Sequence, residues 1–169
     1  MNKYVITEKN WNWRLLNQAG EVLYSANSFG SLRRNGYNIY DKSERFTGGI
    51  VWHTQYNPFN PTFWRGSSET QFMAPANDEY KIYRKSGFSA KKANFIIHYA
   101  HTGLDEMYCI ESYGFLWLNK SILNNAGLEI GIIETDYSGL FVSREDMQLD
   151  TNINPLHIFV MHIMCNGVG

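Results

Sequence analysis

The sequence predicts an all-β domain, a barrel closed around its own C-terminal helix. Three observations point there. Short apolar runs with turn chemistry between them recur along most of the chain. Aromatic residues reach 15%, with 11 Tyr, 10 Phe and 5 Trp, and such side chains suit a pleated, half-buried surface. The last segment, residues 154–165, carries no formally charged residue on any side. A helix apolar all round has to be buried, and a surrounding barrel covers it better than a two-layer sandwich.

The 169 residues fit one domain, 1–169, with room for a sizeable core. Hydrophobic residues make up 44% and charged residues 18%, which excludes a disordered chain. Lys and Arg number 15 against 16 Asp and Glu. A net charge of -1 argues against bulk attraction to nucleic acid, which needs a strong positive field. No run approaches the roughly 20 apolar residues of a spanning helix, and the N-terminus lacks the apolar core of a signal peptide. The expected address is the cytoplasm, with room for peripheral contact with a membrane. Cys109 lies in a strand-like run and Cys165 near the end of the helix, and both are read as reduced, buried small hydrophobes.

The expected strands follow in order. Residues 4–7 open the series. Residues 11–16 and 21–26 flank Asn17-Gln18-Ala19-Gly20, a turn sequence, and read as a hairpin. Further runs are 37–42, 49–54, 70–73, 80–85, 94–101, 107–112, 115–118, 128–135 and 140–142. Residues 56–68 differ. They mix Pro58 and Pro61 with Tyr56, Phe59, Phe63 and Trp64. Proline lacks the ladder N–H and is poorly tolerated in a central strand, so this stretch reads as a long loop. Phe59, Phe63, Trp64 and Arg65 are its candidate contact residues, since Trp, Tyr and Arg are favoured interface anchors.

One internal repeat is visible. Tyr37-Asn38-Ile39-Tyr40-Asp41-Lys42-Ser43 resembles Tyr80-Lys81-Ile82-Tyr83-Arg84-Lys85-Ser86, about 43 residues on. An apolar strand follows each copy, Gly49-Ile50-Val51-Trp52-His53 and Asn94-Phe95-Ile96-Ile97-His98. At the end of the chain Asn154 is a good N-cap, Pro155 suits the first helical position, and Asn166-Gly167 is a good stop. At 1.5 Å per residue the helix spans about 16 Å, short of a bilayer core.

Motifs for chemistry are missing. His98 and His101, three apart on a strand, point to opposite faces. His157 and His162, five apart on a helix, differ by about 140°. Neither pair is a good metal site, and both read as core histidines that must find hydrogen-bond partners. Glu134 and Asp136 could share a strand face but adjoin the turn sequence Tyr137-Ser138-Gly139. No nucleophile elbow, phosphate loop or paired C-x-x-C is present. No catalytic residue, metal ligand or cofactor is assigned, and the expectation is a protein that is not an enzyme.

Basic residues offer more. Lys42 and Arg45 close the first repeat copy; Arg84, Lys85, Lys91 and Lys92 close the second; Arg33 and Arg34 precede the first. Gathered on one rim, they would suit phosphate headgroups at an anionic membrane.

The strands in repeated hairpins and the uncharged Pro-Leu helix together resemble the tubby C-terminal-like superfamily, which includes the tubby proteins, the phospholipid scramblases and the LURP-one-related proteins. The carriers are Tyr4-Val5-Ile6, Asn17-Gln18-Ala19-Gly20-Glu21-Val22, Tyr37-Asn38-Ile39-Tyr40-Asp41, Tyr80-Lys81-Ile82-Tyr83 and Asp150-Thr151-Asn152-Ile153-Asn154-Pro155-Leu156-His157-Ile158-Phe159-Val160. The resemblance implies a closed antiparallel barrel of about twelve strands around a central helix, and phosphoinositide headgroups as ligands. The calcium-binding segment and cysteine cluster of the scramblases are not recognisable. Two functions follow as expectations. One is a non-enzymatic module that recognises anionic phospholipid headgroups. The other is a protein-interaction or inhibitor protein, for example a bacterial immunity protein that neutralises a toxin. A carrier with a pocket in the barrel mouth would instead leave a cavity where a plugging helix leaves none.

Overall fold

The computed structural model describes residues 1–31, 34–53, 57–65, 79–85, 91–114, 118–136 and 144–166. Twelve strands precede one helix: β1 (Asn2–Lys9), β2 (Asn12–Asn17), β3 (Val22–Ser31), β4 (Arg34–Asp41), β5 (Phe46–His53), β6 (Asn57–Arg65), β7 (Tyr80–Arg84), β8 (Lys92–Tyr99), β9 (Asp105–Tyr113), β10 (Asn119–Asn124), β11 (Glu129–Thr135), β12 (Arg144–Leu149) and α1 (Pro155–Asn166). Each strand pairs antiparallel with its sequence neighbours, and β1 pairs with β12, so the sheet closes into a barrel and leaves no edge strand. Successive connections therefore alternate between two ends. The lower end is where α1 begins, beside residues 150–154. The upper end is where it stops, at Asn166.

Alternation fills the interior. Each strand sends at least one essentially inaccessible side chain inward: Ile6, Leu15, Ala26, Ile39, Ile50, Phe63, Ile82, Phe95, Ile110, Ile122, Ile133 and Met147. They enclose α1, whose residues from Leu156 to Met164 are all buried. The start of α1 is capped as the sequence predicts. The Leu156 N–H donates to Asn154 Oδ1 at 3.0 Å, and the His157 N–H donates to the Asn154 carbonyl at 3.1 Å. Asn154→Ala is expected to remove about 1 kcal/mol, seen as a lower urea midpoint with unchanged slope.

The residues expected as a loop around 56–68 are instead largely β6, which lies between β5 and β7. The reason is the placement of its prolines. Only 62–65 pair with β7, and between the partners His53–Asn57 and Val51–Thr62 the β5 register shifts. Pro58 and Pro61 fall in that irregular stretch, where no ladder partner needs their missing N–H. The expected strands at 70–73 and 140–142 and most of 115–118 lie outside the described residues. Two strands that the reading passed over, β10 and β12, complete the barrel.

The hairpin turn at Asn17 recurs at Asn124. In both, the Asn carbonyl accepts from a glycine N–H (Gly20 and Gly127), and Asn Oδ1 accepts from the residue after that glycine (Glu21 and Leu128). Both glycines have positive φ, +82° and +75°.

Candidate functional site

Because the sheet is up-and-down, the two repeat copies run in opposite directions, and their basic residues part company. Lys42 and Arg45 are exposed in the β4–β5 turn at the lower end. Lys85, Lys91 and Lys92 are exposed at the β7–β8 connection at the upper end, where β4 also begins at Arg34. The expected single rim is therefore split. Arg84 leaves the surface altogether: it shares the inward face of β7 with Tyr80 and Ile82 and is 9% exposed. Arg33 and the side chains of Arg34, Phe59, Trp64 and Arg65 lie outside the described residues. Phe63, expected as a contact residue, is fully buried in the core, because it is the inward residue of β6 opposite Ile50.

Lys85 and Lys92 do share a feature. A groove of about 510 Å³ runs along the outer wall over β8, β9 and β10. Both ammonium-bearing residues line it, with Ile96, Met107 and Leu123 from the outward faces of the three strands, and Asn94 and Asn124 as neutral polar groups. The strand register explains the grouping, since Ile96 pairs with Met107, and Asn94 with Cys109, which pairs with Leu123. Lys92 Nζ donates to Glu111 Oε1 at 2.7 Å, and that bond holds the ammonium above its usual value. Cys109 borders the same groove as a free thiol, raised chiefly by burial, and Cys165 is also free, its thiol pushed up to about 11 by burial.

The histidines mark the two ends of the plug. His157 at the lower end packs edge-on against Tyr80, with ring centroids 4.8 Å apart, and lies 3.4 Å from Asn154 Nδ2. His162 at the upper end is fully buried. Its Nε2 lies 2.5 Å from Glu145 Oε2, and Trp13 stands edge-on to the ring at 5.4 Å. Lys120 Nζ lies 4.0 Å from Glu145 Oε1 and donates to the Leu118 carbonyl at 3.4 Å. Burial alone would raise the Glu145 carboxyl, but His162 and Lys120 outweigh it and hold it below its ordinary value. Burial drives His162 down, against the pull of Glu145. The buried charged side chains thus include the Glu145 carboxylate and two cations, Lys120 and Arg84, while the His162 ring sets Nε2 2.5 Å from Glu145 Oε2 and 2.9 Å from the Asn166 amide nitrogen, with Nδ1 3.4 Å from the same amide. Neither Lys120 nor Glu145 was visible as a site residue. The available signal was a charged residue at an in-phase inward position, two before Ile122 and two before Met147.

Among the described residues no group of three His, Cys, Asp or Glu side chains is arranged to hold a metal ion, and no helix is long and apolar enough to cross a membrane. No family model matches the chain, and no curated protein matches it. The fold is similar to the X-ray structure of a protein from Arabidopsis thaliana, with a TM-score of 0.62 at 12% sequence identity, covering 99% of this chain and 90% of that one. That likeness is one of fold: a closed twelve-strand antiparallel barrel around a C-terminal helix.

Proposed function

We propose that this protein is a non-enzymatic binding module whose ligand is an anionic phospholipid headgroup, held in the outer groove beside Lys85 and Lys92. The groove itself carries the reading. It joins two ammonium groups at the upper end to an apolar floor of Ile96, Met107 and Leu123, a pairing suited to an anion on an apolar stem. The buried helix supports it from the other side. With α1 filling the barrel along its length, the space left at the upper mouth beside Trp13, Glu145 and Asn166 is about 190 Å³, smaller than the outer groove, which favours a ligand held on the outer wall. The resemblance to the tubby-like superfamily favours the same ligand class, and peripheral contact with a membrane follows from it.

Vesicle co-sedimentation at low salt tests this, with phosphatidylcholine vesicles as reference, phosphatidylserine-containing vesicles as the membrane arm and free inositol trisphosphate as the headgroup arm. Lysine ammonium groups contribute about 1 kcal/mol each near an anionic surface, so Lys85→Ala/Lys92→Ala should weaken binding roughly 30-fold. Glu111→Gln should strengthen it, because the anion no longer competes with the Glu111 carboxylate for Lys92. Binding of the trisphosphate without vesicle binding would assign a soluble phosphate ligand. If the wild type ignores both probes, the reading is wrong.

A further inference from the structure

We propose that the lower end of the barrel carries a docking surface for a basic, amphipathic segment of a partner protein. The surface lies between the β8–β9 turn, the β10–β11 turn and the segment leading into α1. It adjoins the outer groove, sharing Met107, Tyr108, Asn124 and Asn125 with it, but it holds neither Lys85 nor Lys92 and does not depend on the lipid reading.

Three large apolar side chains stand in solvent there: Leu104 and Leu128, each 64% exposed, and Met107, 40% exposed. Local structure does not require them. The turn at Asn124 has a twin at Asn17 with the same asparagine and glycine hydrogen bonds, and where one turn carries Leu128 the other carries Glu21. A turn that accepts glutamate equally well gives no conformational reason for leucine, and burial gives none either. Leu104 likewise follows a positive-φ glycine, Gly103, in an exposed turn.

Between these turns lies a depression of about 630 Å³ whose rim holds four carboxylates, Asp105, Glu106, Glu129 and Asp150, and no lysine or arginine among the described residues. Uncharged hydroxyls orient two of them and leave their charge in place: Glu106 accepts from Tyr99 and Tyr108 at 3.1 and 3.0 Å, and Glu129 accepts from Ser121; Asp105 Oδ1 meets Nδ1 of the half-exposed His98 at 2.7 Å. Met107 and Leu128 line the depression together with these carboxylates, and Leu104 immediately precedes Asp105; such a surface repels anionic lipid and free phosphate. It complements a peptide that alternates apolar and basic side chains.

The test uses the full chain and a fluorescein-labelled peptide of alternating leucine and lysine, read by fluorescence anisotropy, with a leucine–glutamate peptide as the charge control. The basic peptide should bind and the acidic one should not. Leu104→Ser/Leu128→Ser should weaken binding at least about tenfold, and so should Asp105→Asn/Asp150→Asn. Trp11→Ser, which removes an exposed aromatic at the opposite end, should leave it unchanged. Absence of binding, equal binding of both peptides, or unchanged affinity in both double variants would overturn the proposal.

Discussion

Phe159→Ala is expected to destabilise the fold by about 3–5 kcal/mol, and so to lower the thermal midpoint by about 6–20 °C for a chain of this size. Phe159 is the largest side chain that α1 places in the core, and it is fully buried. The high end of the range is expected because the surroundings cannot relax. In a sandwich, two sheets can move together over a cavity. Here the wall is a closed ring of twelve hydrogen-bonded strands, and its inward residues already meet the helix from all sides. Phe159→Leu keeps most of the volume and should cost under about 1.5 kcal/mol. Urea unfolding of the two variants measures the difference. A loss below about 1 kcal/mol for the alanine variant would mean that the ring closes over the gap, contrary to the packing described.

The filled interior also decides where function can reside. A short helix that is apolar on every side serves the barrel as its core, and the barrel returns the service by covering it. Chemistry is then left to the outer wall and the two ends, where the outer groove and the lower depression differ in charge. Lys85 and Lys92 approach the outer groove from the upper end, whereas Asp105, Glu106, Glu129 and Asp150 line the lower depression together with the exposed Leu128 and Met107. An up-and-down barrel makes such a division easy, because alternate turns belong to opposite ends. Repeats three strands apart, such as those opening at Tyr37 and Tyr80, must therefore run in opposite senses.

The helix was legible because three independent signals agreed: an asparagine cap, a proline at the first position and an uncharged run. Most strands were legible through their inward isoleucines. The failures have particular causes. In β6 the prolines masked a strand that tolerates them only because of a register shift, and Phe63 was assigned to a sticky loop when it fills the core. In β10 and β12 the inward alternation is intact, but Lys120 and Glu145 occupy inward positions, so the apolar rhythm breaks where the upper mouth needs a charge pair. Local sequence cannot show that a lysine on one strand faces a glutamate two strands away and a histidine on the helix. That contact exists only once the ring has closed. The outer groove was half legible: Lys85 and Lys92 were candidates, but their separation from Lys42 and Arg45 is a property of topology.

The Lys120–Glu145–His162 contact gives the second large effect. Glu145→Leu is expected to cost about 3–5 kcal/mol, because it leaves the Lys120 ammonium buried without its carboxylate. Lys120→Met/Glu145→Leu should recover much of that loss, since two apolar side chains of similar volume avoid the desolvation of both charges. The pH dependence follows from the same residues. His162 is held below its ordinary 6.5, so the unfolded chain binds the proton better; stability is complete above about pH 6.5 and declines as the pH falls below it. Glu145, also held down, adds a second loss that begins below its ordinary 4.5. Protonating His162 would leave the buried group with two positive charges against one negative, which is why the two losses have the same sign. His162→Gln keeps an N–H for Glu145 but cannot titrate. Its urea midpoint should stay flat between pH 6.5 and 4.5, where that of the wild type declines. Parallel decline in both proteins would show that the acid response originates elsewhere, and recovery in the glutamine variant alone would locate it at the upper mouth of the barrel.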